Sequence, residues 1–304
     1  MNELRFDNQV AIITGGARGI GFAHAKLLGS RGAKVVVNDI SGAKEAVVKL
    51  KEMGIETIAD ENDISKMESA QKIVEDAVKE FGRVDILVNN AGVNRSLSIE
   101  NEDDERFDFL MKVNTYGSRN LCKAVFPIMK EQGYGRIINT TSTSAMYGGA
   151  DLFGYSVSKG AIYGMTRSLA LAAKDYGILV NAISPCAATI MAMDDLGFDF
   201  SNPDARKQYE AAMPPEAISP IVAVLAHKDC PVTGKVFETG GGRVNEIFIG
   251  TTMGYYDPTF SPEMIAKKMD IISDHEDYVI IEDSMLANVI MQKAIERQHQ
   301  KKTK

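Results

Sequence analysis

The sequence predicts an α/β fold. It is a doubly wound parallel sheet of seven strands with helices on both faces, plus a partly helical C-terminal extension. Three observations carry this. Short β-branched runs alternate with longer amphipathic stretches up to about residue 240. Several of the runs are apolar nearly throughout, as strands covered on both faces are. The first run leads directly into a glycine-rich turn and a helix start, "VAIITGGARGIGFAHAKLL".

The expected strands are 10–14, 34–38, 56–59, 85–89, 136–141, 179–183 and 235–239, and helical patterns fill 43–53, 66–81, 102–130, 155–175 and 214–226. A sheet of this kind binds ligands beyond the carboxyl ends of its strands. Residues 1–245 are read as one dinucleotide-binding and catalytic domain. It includes a substrate loop at 186–213, which follows the sixth strand and carries Met191, Met193, Leu196, Phe198 and Phe200 among aspartates. Residues 246–304 are read as an extension packed on the same domain or on a neighbouring subunit. It has helical patterns at 262–273 and 284–298, and too few apolar residues to fold alone.

The composition excludes several function classes. The 304 residues carry a formal charge of −7, which disfavours nucleic acid and anionic membrane as partners. No apolar run approaches the ~20 residues needed to cross a bilayer. The first ten residues lack the pattern of a signal peptide. Cys122, Cys186 and Cys230 are distant and odd in number, which fits a reducing cytoplasm. His24, His227, His275 and His299 show no metal-ligand spacing, so no metal is expected.

In the glycine turn, Gly15, Gly19 and Gly21 let the backbone approach a pyrophosphate. The helix start then offers free N–H groups and a positive dipole end to that anion. A carboxylate at Asp39, closing the second strand, suits the hydroxyls of an adenosine ribose and repels a 2′-phosphate. NAD(H) is therefore expected over NADP(H), although Arg18 could pair with a 2′-phosphate. Asp63 is placed either to touch the adenine or to cap the following helix.

With these residues the chain resembles a classical short-chain dehydrogenase/reductase over roughly residues 5–245. The resemblance rests on "TGGARGIG" at 14–21, "NNAG" at 89–92, Asn114 in "KVNTYG", Ser142, Tyr155 and Lys159, and Pro185 after the sixth strand. It implies a Rossmann-type fold and an Asn114–Ser142–Tyr155–Lys159 tetrad. It also implies cofactor contacts from Gly15, Arg18, Gly19, Ile20, Gly21, Asp39, Asp63, Ile64, Asn90, Ala91, Gly92, Tyr155, Lys159, Pro185, Ala188 and Thr189. Cys186 departs from the family, which usually has glycine there. Within the family the chain is similar to the dehydrogenase module of multifunctional enzyme type 2 and to bacterial hydroxysteroid dehydrogenases. The latter likeness suggests a 20β-hydroxysteroid dehydrogenase acting on the C20 ketone of corticosteroids.

The residue types suit that chemistry. In a helix, Tyr155 and Lys159 share a face. A phenol has a pKa near ~10, and a neighbouring cation favours its phenolate. Such a group can give a proton to a carbonyl oxygen or take one from an alcohol, while the hydride belongs to the cofactor. Ser142 can hydrogen-bond the substrate oxygen. The family likeness assigns Asn114 a water that links Lys159 to solvent, and Lys159 a bond to the nicotinamide ribose. Taken singly, each of these is an ordinary helix-face or strand-end residue; their coincidence with the glycine turn points to catalysis.

Two substrates compete, a steroid and a 3-hydroxyacyl thioester of coenzyme A. Segment 186–213 holds five acidic side chains against Arg206 and Lys207, which argues against a phosphate-rich ligand. Its Met191 and Met193, with the phenylalanines, suit a flat apolar body or else simply pack a lid. The steroid is therefore the main expectation and the thioester the alternative. A dinucleotide-sensing scaffold is the non-enzymatic alternative. Family likeness implies a homotetramer or homodimer joined through helices 102–130 and 155–175.

Overall fold

The computed structural model of the protein describes residues 3–94, 97–188 and 203–286. Its main chain divides into two compact units, 1–246 and 247–304.

The first unit is built on an eight-stranded sheet. In chain order its elements are β1 (Val10–Thr14), α1 (Gly19–Ser30), β2 (Lys34–Asn38), α2 (Ala43–Glu52), β3 (Thr57–Asp60), α3 (Met67–Phe81) and β4 (Ile86–Asn89). Then come α4 (Asp104–Leu110), a π-helical turn (Met111–Tyr116), α5 (Gly117–Gln132), β5 (Gly135–Thr140), α6 (Ser144–Tyr147), α7 (Phe153–Ala173) and β6 (Ile178–Pro185). After these are α8 (Pro203–Ala212), α9 (Ser219–Ala226), β7 (Val236–Gly240) and β8 (Arg243–Ile247). The strand order is β3-β2-β1-β4-β5-β6-β7-β8. Every pairing from β3 to β7 is parallel. The chain leaves β1 towards β2 on one side and reaches β4 on the other. The carboxyl ends of β1 and β4 therefore flank the crevice where such sheets bind ligands.

Burial on both faces explains the apolar runs. Ala11, Ile13, Val35 and Val37 face one core with Leu28 of α1, Leu50 of α2 and Leu225 of α9. Ile12 and Val36 face the other, with Ile73 of α3, Leu121 of α5 and Ala173 of α7. Alternate residues of one strand thus enter different cores, so no polar position interrupts the run.

The structure corrects several boundaries. An eighth strand follows the expected seventh through Gly241 and Gly242, whose φ values are +54° and +78°. Two left-handed residues in a two-residue loop are the turn that best matches strand twist. The long helix expected at 102–130 is interrupted: Gly117 N–H bonds the Lys112 carbonyl, one residue further than an α-helix allows. The helix expected at 214–226 begins with a 3-10 turn at Pro215–Ile218. Segment 186–213, read as a loop, contains α8.

In the second unit β9 (Gly250–Thr252) pairs antiparallel with β10 (Tyr278–Ile280). Phe248 stacks on Tyr278 at 5.8 Å. The helix expected at 262–273 is divided at Lys268 into α10 (Pro262–Lys267) and α11 (Met269–Ile272). The helix expected at 284–298 falls outside the described residues beyond Leu286; Ser284–Leu286 is a 3-10 turn. Among the described residues after Ile247, none is buried. No helix among the described residues is long and apolar enough to cross a membrane.

Candidate active site

Two clusters form at the carboxyl end of the sheet. The first surrounds the turn after β1. Gly15 has a φ of +61°, and a Cβ on Gly21 would lie 2.1 Å from the Gly15 carbonyl oxygen. Only glycines allow this turn to press against the start of α1. The turn is braced from β4. Thr14 Oγ1 accepts the N–H groups of Asn90 and Ala91 at 3.1 and 3.0 Å, and Asn90 Nδ2 donates to the Thr14 carbonyl at 2.9 Å. Asn90 thus spends its side chain on the turn. Asp39 lies beside it, accepting from Ala17 N–H at 3.3 Å and from Ser41 N–H at 3.2 Å. Arg18 is exposed at the helix start, and Ile20 packs its side chain on the core.

Asp63 Oδ1 accepts the Ser65 N–H at 2.9 Å. The residue preceding α3 is Lys66, and it makes no side-chain cap bond. Asp63 therefore closes a local turn instead of capping α3. Ile64 is 5 % exposed, with its side chain filling the space beside Gly117 and its carbonyl accepting from Asn120 Nδ2 at 3.1 Å.

The second cluster is centred on α7. Lys159 Nζ lies 5.7 Å from the Tyr155 ring centroid. Lys159 is 3 % exposed and donates to the Thr140 carbonyl at 2.9 Å. Burial pulls its amine down to about 8. A Cβ on Gly92 would meet Asn114 Oδ1 at 3.1 Å and Lys159 Nζ at 3.2 Å, so these three residues converge. Asn114 sits in the π-helical turn. Its Oδ1 accepts Val93 N–H at 2.8 Å, and its Nδ2 donates to the Val93 carbonyl and to Ser158 Oγ, each at 3.0 Å. Both amide hydrogens are thus used, while Oδ1 keeps one lone pair. Its main-chain carbonyl accepts from Ser118 Oγ at 2.9 Å. Ser142, just past β5, accepts from Ser144 N–H at 3.2 Å and Ser144 Oγ at 3.0 Å. Its own hydroxyl hydrogen stays available for donation.

Pro185 ends β6. The Ala188 N–H is taken by the Met213 carbonyl at 2.7 Å. Thr189, Met191 and Met193 lie outside the described residues. Cys186 is exposed as a residue, but atoms packed around its sulfur partly desolvate it and, with Glu238, push its thiol up.

Sequence reasoning missed the supports. Asn89 Nδ2 donates to Asn139 Oδ1 at 2.9 Å, and Asn139 Nδ2 donates to Thr166 Oγ1 at 2.9 Å, tying β4 and β5 to α7. The signal was present: polar residues in strands otherwise apolar throughout need buried partners. The narrow glycine cradle, the adjacent carboxylate and the buried amine fit a nicotinamide dinucleotide in charge and shape.

The short chain dehydrogenase family matches residues 9–195. The chain belongs to this family. Its members are oxidoreductases that act on CH–OH groups with a nicotinamide dinucleotide. This short-chain dehydrogenase is 37% identical over 287 residues to the peroxisomal hydratase-dehydrogenase-epimerase of Neurospora crassa, covering 90% of this chain and 31% of that protein. It thus spans about a third of the length of that relative. Full-length peroxisomal multifunctional enzyme type 2 from Drosophila melanogaster has a similar structure, with TM-score 0.81 and 27% identity over 97% of this chain and 50% of that one. NAD+-bound xylitol dehydrogenase is also similar, with TM-score 0.69 and 28% identity over 78% of this chain and 99% of that one.

Proposed function

We propose that the chain is an NAD(H)-dependent dehydrogenase interconverting a 3-hydroxyacyl thioester of coenzyme A and its 3-oxo counterpart. The likeness to the hydratase-dehydrogenase-epimerase over 90% of the chain carries this reading. A hydratase acting on a double bond conjugated to a thioester places a hydroxyl on carbon 3, and a dehydrogenase beside it oxidises that alcohol. The steroid expectation yields to this one. Its support was the acidic excess and the Met and Phe content of 186–213. There the described part, α8, offers an Arg206–Glu210 pair at 2.9 Å.

In the reduction direction Tyr155 gives its phenolic proton to the carbonyl oxygen; in oxidation it takes the alcohol proton. Lys159, with its amine near 8, stays largely cationic at neutral pH and favours the phenolate. Ser142 donates its hydroxyl to the reacting oxygen. Asn114 holds the loop after β4 against α7 through Val93 and Ser158. A bound nicotinamide dinucleotide supplies or accepts the hydride.

Asp39 supports NAD(H). Asp39→Ser should cut kcat/KM for NAD+ by roughly 10- to 100-fold, the loss of a charge-assisted hydrogen bond, and raise use of NADP+. Steady-state rates with each dinucleotide check this. The substrate test crosses 3-hydroxyacyl-CoA and steroid alcohols (C3, C17, C20) with both cofactors. Turnover of steroids without thioesters would overturn the reading.

The family likeness carries the assembly reading, and an apolar groove of about 520 Å³ between α5 and α7, lined by Cys122, Phe126, Pro127, Met165, Leu169 and Ala172 among others, supports it. We place a two-fold interface there, four helices meeting across it. Light scattering should give at least the mass of two chains, falling to one in Phe126→Glu. The unpaired cysteines suit a reducing compartment; two of the three relatives described above are peroxisomal by name.

A further inference from the structure

The helix that carries Tyr155 lacks a cap of its own. Leu152 precedes α7 and makes no side-chain cap bond. The first N–H groups of an α-helix have no partner within it, and here they find partners some fifty residues upstream. The Phe153 N–H donates to the Leu97 carbonyl at 3.3 Å. The Gly154 N–H donates to Glu102 Oε1 at 3.2 Å. The supplying segment is itself folded tightly. Asn101 and Glu102 N–H both bond the Ser98 carbonyl at 3.0 Å, and Asn101 Nδ2 donates to Ser98 Oγ at 2.8 Å. Phe107 of α4 packs against Phe153 with ring centroids 6.3 Å apart.

Gly154 is fitted to this contact. A Cβ there would lie 2.3 Å from Glu102 Oε1. Any larger residue would displace the carboxylate. The first turn of α7 and the segment before α4 are therefore matched to one another.

Tyr155 and Lys159 are anchored differently. Lys159 is held deep in the second turn, through the Thr140 carbonyl and through its own carbonyl, which accepts from Thr141 Oγ1 at 2.8 Å. Tyr155 is the third residue of the helix, beside the two N–H groups that segment 97–102 satisfies. From this asymmetry we infer that Glu102 is a positioning residue: it caps α7 from a distance and fixes where the Tyr155 hydroxyl sits. This rests on the reading of Tyr155 as the proton donor.

The test compares Glu102→Ala, Glu102→Gln, Gly154→Ala and the double variant Glu102→Ala/Gly154→Ala. Glu102→Ala should lower kcat about 10- to 100-fold, the usual cost of a small misplacement. The affinity for NADH, read by fluorescence, should stay within about twofold, because Lys159 and the glycine turn are untouched. Glu102→Gln keeps an acceptor oxygen and should restore most of kcat. Gly154→Ala should reproduce the Glu102→Ala loss. It should add nothing in the double variant, since alanine suits a helix once the carboxylate is gone.

Hydrogen exchange of the 153–156 amides needs no substrate and should quicken in Glu102→Ala but not in Glu102→Gln. Unchanged exchange and unchanged kcat in Glu102→Ala would overturn the inference. So would an additive loss in the double variant, or a loss of turnover matched by weaker NADH binding. If the parent turned over no thioester, the proposed function would fall while the exchange result still decided the cap.

Discussion

Tyr155→Phe should lose turnover by about 10²- to 10⁴-fold, the range of a positioned acid–base group, while still binding NADH. The substitution is narrow. It removes one oxygen and keeps the aromatic ring, whose centroid lies 5.7 Å from Lys159 Nζ. The helix, the buried amine and the glycine turn keep their packing. A fall in kcat with an unchanged dinucleotide affinity therefore isolates the proton transfer. The measurement also separates an enzyme from a dinucleotide-sensing scaffold. A scaffold would bind NADH equally with either residue and show no turnover to lose. If Tyr155→Phe kept a turnover within tenfold of the parent, the proton would have to come from elsewhere, and Ser142 would be the first group to examine.

Much of this site could be read from the sequence, for a physical reason. A strand buried on both faces leaves no room for polar positions, so "VAIIT" and "VVVN" declare themselves. A glycine turn between strand and helix has few alternative uses, and Tyr155 with Lys159 needs only helical spacing to share a face. What escaped notice depends on contacts between distant segments. The interruption of 102–130 adds one residue to a helical repeat, and the apolar period hardly registers such a change. Asn114 could be named, but not that Val93 and Ser158 would take both of its amide hydrogens. Asp63 looked equally like a helix cap or an adenine contact, and its bond to Ser65 N–H takes the place of the cap.

The argument that favoured a steroid is weak for a related reason. Counting charges in 186–213 assumes that all of them face the ligand. In α8, Arg206 is exposed and pairs with the half-buried Glu210 one turn away, so those charges offset one another and say little about what enters the crevice. The phosphates of coenzyme A sit far from carbon 3, so other elements can meet them. Similarity along most of the chain is the better guide.

The second large effect concerns Lys159, where function and stability should part. Burial lowers its amine from 10.5 to about 8. Between those values the unfolded chain binds the proton that the folded chain has released. Stability therefore rises with pH from about 8 to 10.5, and below 8 the folded state bears the full cost of a buried cation. At about 1.4 kcal/mol per pKa unit, that cost is roughly 3 kcal/mol. Lys159→Met keeps an unbranched apolar stem in the same space and removes the charge. It also strips the Thr140 carbonyl of its bond, a loss of about 1–3 kcal/mol that offsets part of the gain.

The difference in pH dependence is the sharper readout. Denaturant unfolding of the cofactor-free parent should show stability climbing, relative to Lys159→Met, between pH 8 and 10.5. The Met variant should match or exceed the parent at pH 7, with turnover cut about 10²-fold or more. Parallel pH curves for the two proteins would mean that the amine is not desolvated, and the account of how Tyr155 is tuned would fail with it. A cation that burdens the free fold persists because it serves the phenol one turn earlier on the same helix.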